Sequence, residues 1–259
     1  MTIKVGIAGL GAIGSTVARA LIKGIDGYEL VCAAEMNPPQ EFNVPIVDFA
    51  TLAEKSDLII ECLPAKAVPA LAAEVFIRSR DLIIISSASL LIYPEILEGH
   101  KKSSSRIIVP SGALAGLDGV RSLIHSGIKS ATIKSTKLPT GYNGAPYVLE
   151  QRIDLFCVTE KTLLFKGNAI EAAQGFPANV NVAATLSLAG IGPERTEVEI
   201  WADPEARGNS HEIIVVGNHS TIRAFVDNLP DPANPKTSIL AAQSIVSALE
   251  KMSAPLIIL

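Results

Sequence analysis

Along the first 110 residues, short runs of consecutive apolar residues alternate with stretches whose apolar positions recur every three or four. Residues 3–8 (IKVGIA), 29–34 (ELVCAA), 57–62 (DLIIEC), 82–86 (LIIIS) and 106–109 (RIIV) are of the first kind. Runs of that length without polar alternation predict strands buried on both faces. Between them, Ile13, Val17 and Leu21 share one helical face, residues 66–78 form an Ala-rich helical stretch, and another helix is predicted near 94–100. Buried strands separated by helices predict a doubly wound, parallel α/β domain over residues 1–112.

After Pro110 the rhythm changes. Residues 130–137, 161–166, 196–202, 211–216 and 221–226 read as strands, several alternating apolar with polar in the manner of a half-exposed antiparallel sheet. Helical stretches at 169–176 and 180–190 lie between them. The prediction is an α+β domain over 113–236 with a mixed or antiparallel sheet. A last helix over 237–259 carries Ile239, Ala242, Val246 and Leu249 on one face, with Thr237 or Ser238 as its N-cap. It is expected to return to the first domain and complete it.

Composition narrows the classes. The chain has 259 residues, of which 48% are hydrophobic and 19% charged, enough apolar material for one large core or two modest ones. The net charge of −4 gives no basic stripe for a phosphate backbone, so no nucleic-acid partner is expected. Cys32, Cys62 and Cys157 stand far apart with no CxxC spacing, which fits a reducing, cytoplasmic setting and predicts no metal site. No basic leader precedes the first strand, so no signal peptide is expected. The longest uncharged run, 172–193, contains Gln174, Pro177, Asn179, Asn181 and Pro193, which argues against a membrane span.

Candidate chemistry begins at Gly9-Leu10-Gly11-Ala12-Ile13-Gly14, directly between the first strand and first helix. Gly9 permits the tight turn, Gly11 lets backbone approach a pyrophosphate, and Gly14 lets helix and strand pack closely. The N–H groups at the helix start, including Ala12 and Ile13, offer positive dipole to phosphate. In this strand–turn–helix–strand setting the motif is the Rossmann dinucleotide fingerprint. Glu35 ends the second strand, where a carboxylate accepts hydrogen bonds from the adenosine ribose; a solvent-exposed strand-end Glu is the plain alternative. Met36 follows where NADP-preferring enzymes often place Arg, so NAD is favoured and NADP is the second choice.

The later half carries more specific stretches: GALAGLDG (112–119), FPANVNVAAT (176–185), ADP (202–204), NSHEI (209–213) and NPKTS (234–238). Together, and in this order along essentially the whole chain, they resemble the L-aspartate dehydrogenase family. The resemblance implies a Rossmann domain joined to an α+β catalytic domain, commonly as a homodimer. It implies NAD(P)-dependent, reversible oxidative deamination of L-aspartate to oxaloacetate and ammonia through iminosuccinate. Motif by motif, the family's catalytic histidine falls on His211, and cofactor contacts fall on Asn181 and on Ala115. Glu35-Met36 departs from the Asp-Arg of several relatives, which bears on cofactor preference. A related dehydrogenase or imine reductase for another acidic substrate is the nearest alternative, and a non-catalytic NAD(H)-sensing module a more distant one.

The residues themselves are consistent with this. Of four histidines, His100 and His125 sit in polar helix-end contexts and His219 in a hairpin turn, whereas His211 begins an apolar strand. A strand-end histidine is commonly structural, but an imidazole there can also exchange protons near neutrality. Asn181 offers donor and acceptor to a nicotinamide carboxamide, or else caps a helix. Lys236, Thr237 and Ser238 at a helix start form a candidate cradle for a substrate carboxylate, the alternative being a capped helix with a solvated lysine. Arg195 and Lys137 are weaker candidates, read by default as solvated surface, and Cys62 reads as a buried structural thiol.

Overall fold

The structure, a computed structural model, describes residues 2–229 and 238–257. It divides into two compact units, residues 1–112 with 241–259 and residues 113–240. Among the described residues no helix is long and apolar enough to cross a membrane.

The first unit is built on β1 (Ile3–Ala8), β2 (Tyr28–Ala34), β3 (Leu58–Glu61), β4 (Asp81–Ile84) and β5 (Ile107–Ile108), parallel in the order β2-β1-β3-β4-β5. Side chains alternate between two cores. Val5, Ile7, Ile60 and Ile83 pack with Val17 and Leu21 of α1 (Ala12–Lys23). Ile59, Leu82 and Ile84 pack on the other face with residues of α2 (Phe49–Lys55), α3 (Val68–Ile77) and α5 (Pro94–Lys101). The short α4 (Ser89–Ile92) precedes α5. Both faces are therefore buried, which is why the strands lack polar alternation. Beyond β2, Ile46 forms a single parallel bridge to Ala33, the vestige of a further strand.

Since β2 lies on one side of β1 and β3 on the other, the loops leaving β1 and β3 diverge. That is the switch point of a doubly wound sheet, where ligands bind.

In the second unit β6 (Ile128–Lys137), β7 (Thr162–Asn168), β8 (Thr196–Ala202), β9 (Asn209–Gly217) and β10 (Thr221–Asn228) form one sheet in the order β10-β9-β6-β8-β7. Only β6 and β8 run parallel. Its buried face carries Ile133, Val198, Ile200, Ile213 and Val215. The helices of this unit are α6 (Leu117–Ser126), α7 (Pro146–Glu150), α8 (Ala169–Gly175) and α9 (Asn181–Ala189). Asn168 and Glu171 close a capping box on α8, satisfying donors that no helical carbonyl reaches. The alternate face of the sheet bears Lys134, Trp201, Glu212 and Phe225, the last 66% exposed.

The final helix, α10 (Ile239–Ser253), presents Ile245, Val246 and Leu249 to the core that holds Val5, Ile7 and Val17. Gly112 N–H donates to Ser244 Oγ at 3.1 Å, tying the end of the first stretch of this unit to that helix.

Candidate active site

The glycine turn shows three distinct constraints. Gly9 has φ +93°, a conformation that L side chains rarely adopt. A Cβ on Gly14 would lie 1.8 Å from the Gly9 carbonyl oxygen, so only glycine permits this approach of helix to strand. A Cβ on Gly11 would meet nothing within 4 Å, so that position faces open space. Ser15 Oγ donates to Leu10 O at 2.6 Å and secures the turn from inside the helix. The first N–H groups of α1, including Ala12 and Ile13, have no acceptor within the helix. An open, Cβ-free cradle at the N-terminus of a twelve-residue helix fits a pyrophosphate.

Glu35 follows β2 and turns back on this loop. One carboxylate oxygen accepts from Leu10 N at 2.7 Å; the other accepts from Met36 N at 2.7 Å and Asn37 N at 3.0 Å. Partial burial raises its pKa, but the three backbone donors outweigh that effect and leave it below the ordinary value. A carboxylate offers about four acceptor positions, so roughly one remains for a ribose hydroxyl. Met36 beside it is 92% exposed and brings no cation.

At the same switch point Glu61 ends β3 with no exposed surface. It accepts from Leu63 N at 2.6 Å and Ser86 N at 3.0 Å, joining the loops that leave β3 and β4. Burial pushes its carboxyl up to about 7. A glutamate inside the apolar run DLIIEC is a visible sequence signal that pattern reading passed over. Cys62 beside it is also driven upward by burial and then by the Glu61 charge, so its thiol stays protonated.

In the second unit a polar cluster sits on the otherwise apolar face of the sheet. His211 on β9 lies opposite Ser135 on β6, and the Ser135 hydroxyl is 2.9 Å from its Nδ1. His211 is only 5% exposed. Burial, and then the charge of Lys137, lower its pKa to about 3. Lys137 follows Ser135 by two residues and so projects from the same face; its Nζ donates to Asn179 Oδ1 at 3.0 Å. Burial brings its ammonium down to about 8. Behind them the Tyr142 phenol donates to Trp201 O at 3.1 Å, and burial raises its pKa.

Lys137, a weaker candidate whose default reading was solvated surface, is instead half-buried in this cluster. The signal was available: Ala131, Ile133, Ser135 and Lys137 are in phase, so the lysine shares the register of a buried strand face. Ser135 and Asn179 were not singled out, because pairing across strands and loops decides their partners.

The remaining candidates are placed as follows. Ala115 is exposed in the turn before α6, whose preceding residue, Gly116, has φ +78°. Asn181 is the first residue of α9, with Val180 rather than Asn181 at the cap. Ser238 Oγ donates to Asn228 Oδ1 at 2.7 Å. Lys236 and Thr237 lie outside the described residues.

Residues 118–252, which include the whole polar cluster, match the family model described as aspartate dehydrogenase, C-terminal. The chain belongs to the aspartate dehydrogenase family. The family relationship extends over nearly the full length. An L-aspartate dehydrogenase 3 from Bordetella bronchiseptica is 40% identical over 260 residues, covering 97% of this chain and 95% of that one. An L-aspartate dehydrogenase from Methanosarcina acetivorans is 40% identical, covering 98% of each chain. The crystal structure of aspartate dehydrogenase from Thermotoga maritima superposes with a TM-score of 0.79 at 25% identity, covering 100% of both chains. The α/β fold is thus that of the family, and the chain is an oxidoreductase.

Proposed function

We infer that the protein catalyses the reversible, NAD(P)-dependent oxidative deamination of L-aspartate to oxaloacetate and ammonia through iminosuccinate. The observation that carries this reading is the near full-length kinship to L-aspartate dehydrogenases in a chain that keeps an imidazole within a buried polar cluster.

The enzyme uses a nicotinamide cofactor. Gly9, Gly11, Ala12, Ile13 and Gly14 would hold its pyrophosphate, Glu35 its adenosine ribose, and Ala115 and Asn181 its nicotinamide end. A nicotinamide held by these residues would supply the hydride acceptor for oxidation at the amino-bearing carbon of the substrate. NAD is the preferred form, supported by an ionised Glu35 followed by the uncharged Met36 where a cation would receive a 2′-phosphate.

The protein's part in the chemistry is to move a proton. When Nδ1–H of His211 donates to Ser135 Oγ, the lone pair of Nε2 is left to accept a proton from water attacking the imine carbon. The same proton returns to nitrogen as ammonia leaves, so the new carbonyl oxygen derives from water. Lys236, Thr237 and Ser238 are proposed to receive a substrate carboxylate.

The purified protein is expected to reduce NAD⁺ with L-aspartate, and a panel of amino and oxo acids with NAD and NADP tests both specificities. His211→Ala should lower kcat by about 100-fold or more while leaving NAD binding nearly unchanged. Near-normal turnover of that variant in both directions would overturn the role of the imidazole.

A homodimer and a cytoplasmic setting belong to the same reading. The second sheet's face with exposed Phe225 and Leu163 supports self-association, and free Cys32, Cys62 and Cys157 suit a reducing compartment. Sedimentation equilibrium should give twice the chain mass for the native protein and a shift toward monomer for Phe225→Asp; a concentration-independent monomer would refute the dimer.

A further inference from the structure

Lys137 is a cation in an unusual position. On the alternate face of the same sheet, Lys166 and Lys134 lie 3.2 and 3.7 Å from Glu199 carboxylate oxygens. Lys137 on the buried face has a neutral amide instead: its Nζ is held by Asn179 Oδ1, and among the described residues no carboxylate forms an ion pair with it. Asn179 orients the ammonium without neutralising it. A half-buried ammonium with one neutral partner has donors left over and a strong preference for an anion. The nearest functional group in the register is the Ser135–His211 pair, on the same strand face two residues before it.

We propose that Lys137 receives a carboxylate of the substrate, and that filling this position turns His211 into an effective proton acceptor. The proposal rests on the reading of the enzyme as an L-aspartate dehydrogenase, since a dicarboxylic amino acid brings the anion.

The coupling follows from charge. With Lys137 uncompensated, a proton on His211 would place two positive groups side by side in a region of low polarity. Among the described residues, the titratable neighbours of the Ser135–His211 pair are Lys137 on β6 and, against the Ser135 carbonyl, the Tyr142 phenol, whose burial favours its neutral form. Val226, its neighbour on β10, is apolar. The burden on His211 beyond burial is thus the Lys137 charge. A bound carboxylate cancels that charge and raises the proton affinity of the imidazole at the moment substrate arrives. By reciprocity, protonation of His211 must strengthen carboxylate binding. An empty site therefore holds a neutral, weakly basic imidazole, and the occupied site holds a competent one.

The test uses the whole protein, ¹⁵N-histidine NMR and succinate, a dicarboxylate without the reacting amine. At about pH 6, adding succinate should move the His211 signals, assigned by their loss in His211→Gln, toward imidazolium values. In Lys137→Met the free protein should already be displaced that way, succinate should add nothing, and KM for L-aspartate should rise about tenfold or more. Lys137→Arg should restore the succinate response. Asn179→Asp supplies an internal carboxylate, should displace His211 without ligand and should weaken succinate binding; it serves equally if Lys137→Met fails to fold. Succinate binding to folded Lys137→Met with wild-type affinity, or an unmoved His211 in succinate-saturated wild type, overturns the proposal. Failure of the broader reading looks different: succinate would still move His211, but L-aspartate would not be oxidised.

Discussion

Gly11 and Gly14 lie three residues apart in one turn, yet the structure assigns them separable duties. Gly11 has φ −67° and open space around it, so alanine there leaves the fold intact and intrudes only on a ligand. Gly11→Ala should keep its thermal midpoint within about 3 °C of wild type while weakening NAD binding about tenfold or more. Gly14→Ala forces a methyl against a backbone carbonyl and should cost more than about 2 kcal/mol of stability. Denaturation and fluorescence titration with NADH separate the two, and equal losses of stability would refute the distinction. The glycines were legible in the sequence because their duties are local. His211 stood out only through its neighbours in a recognisable motif. Lys137 was misjudged because its environment depends on β6 lying beside β9 and on Asn179 arriving from 42 residues away, relations that one strand's pattern does not carry.

At the scale of elements, the strands of the first unit were the most legible, since burial on both faces leaves unbroken apolar runs such as LIII. The strands of the second unit were found as well, with 196–202 coinciding with β8. What alternation could not reveal was direction: β6 and β8 run parallel within an otherwise antiparallel sheet, a property of the connections between them. Helices α2, α4, α6 and α7 were missed. The first two span seven and four residues, too short to display a helical period. The third begins inside GALAGLDG, where closely spaced glycines read as a turn; Gly116 does adopt φ +78°, and the helix starts immediately after it. The predicted final helix is present over Ile239–Ser253; of its two proposed caps, Thr237 falls outside the described residues and Ser238 Oγ donates to Asn228 Oδ1.

For the molecule as a whole, Glu61 makes stability depend on pH in the direction opposite to most carboxylates. Its folded-state pKa of about 7 stands above the ordinary value of 4.5, so between these values the folded chain keeps a proton that the unfolded chain has released. Stability from this group is complete below about pH 4.5, falls as pH rises toward about 7, and stays reduced above that, by on the order of 3 kcal/mol. Urea unfolding at about pH 5 and pH 8 should show the loss in wild type and a markedly smaller one in Glu61→Gln; parallel changes in the two proteins would exclude Glu61 as the source. The wild-type sheet also ends in an unusual way. Beyond β2 the backbone gives Ala33 two hydrogen bonds, to Pro45 O and from Val47 N, and then departs. Pro45 and Val47 turn their backbone groups inward to Ala33, so the outward edge of this one-residue bridge is the N–H and C=O of Ile46 alone, too short a ladder for a foreign strand to extend. A border closed by a single residue leaves an identical copy of the chain little to stack against at that point.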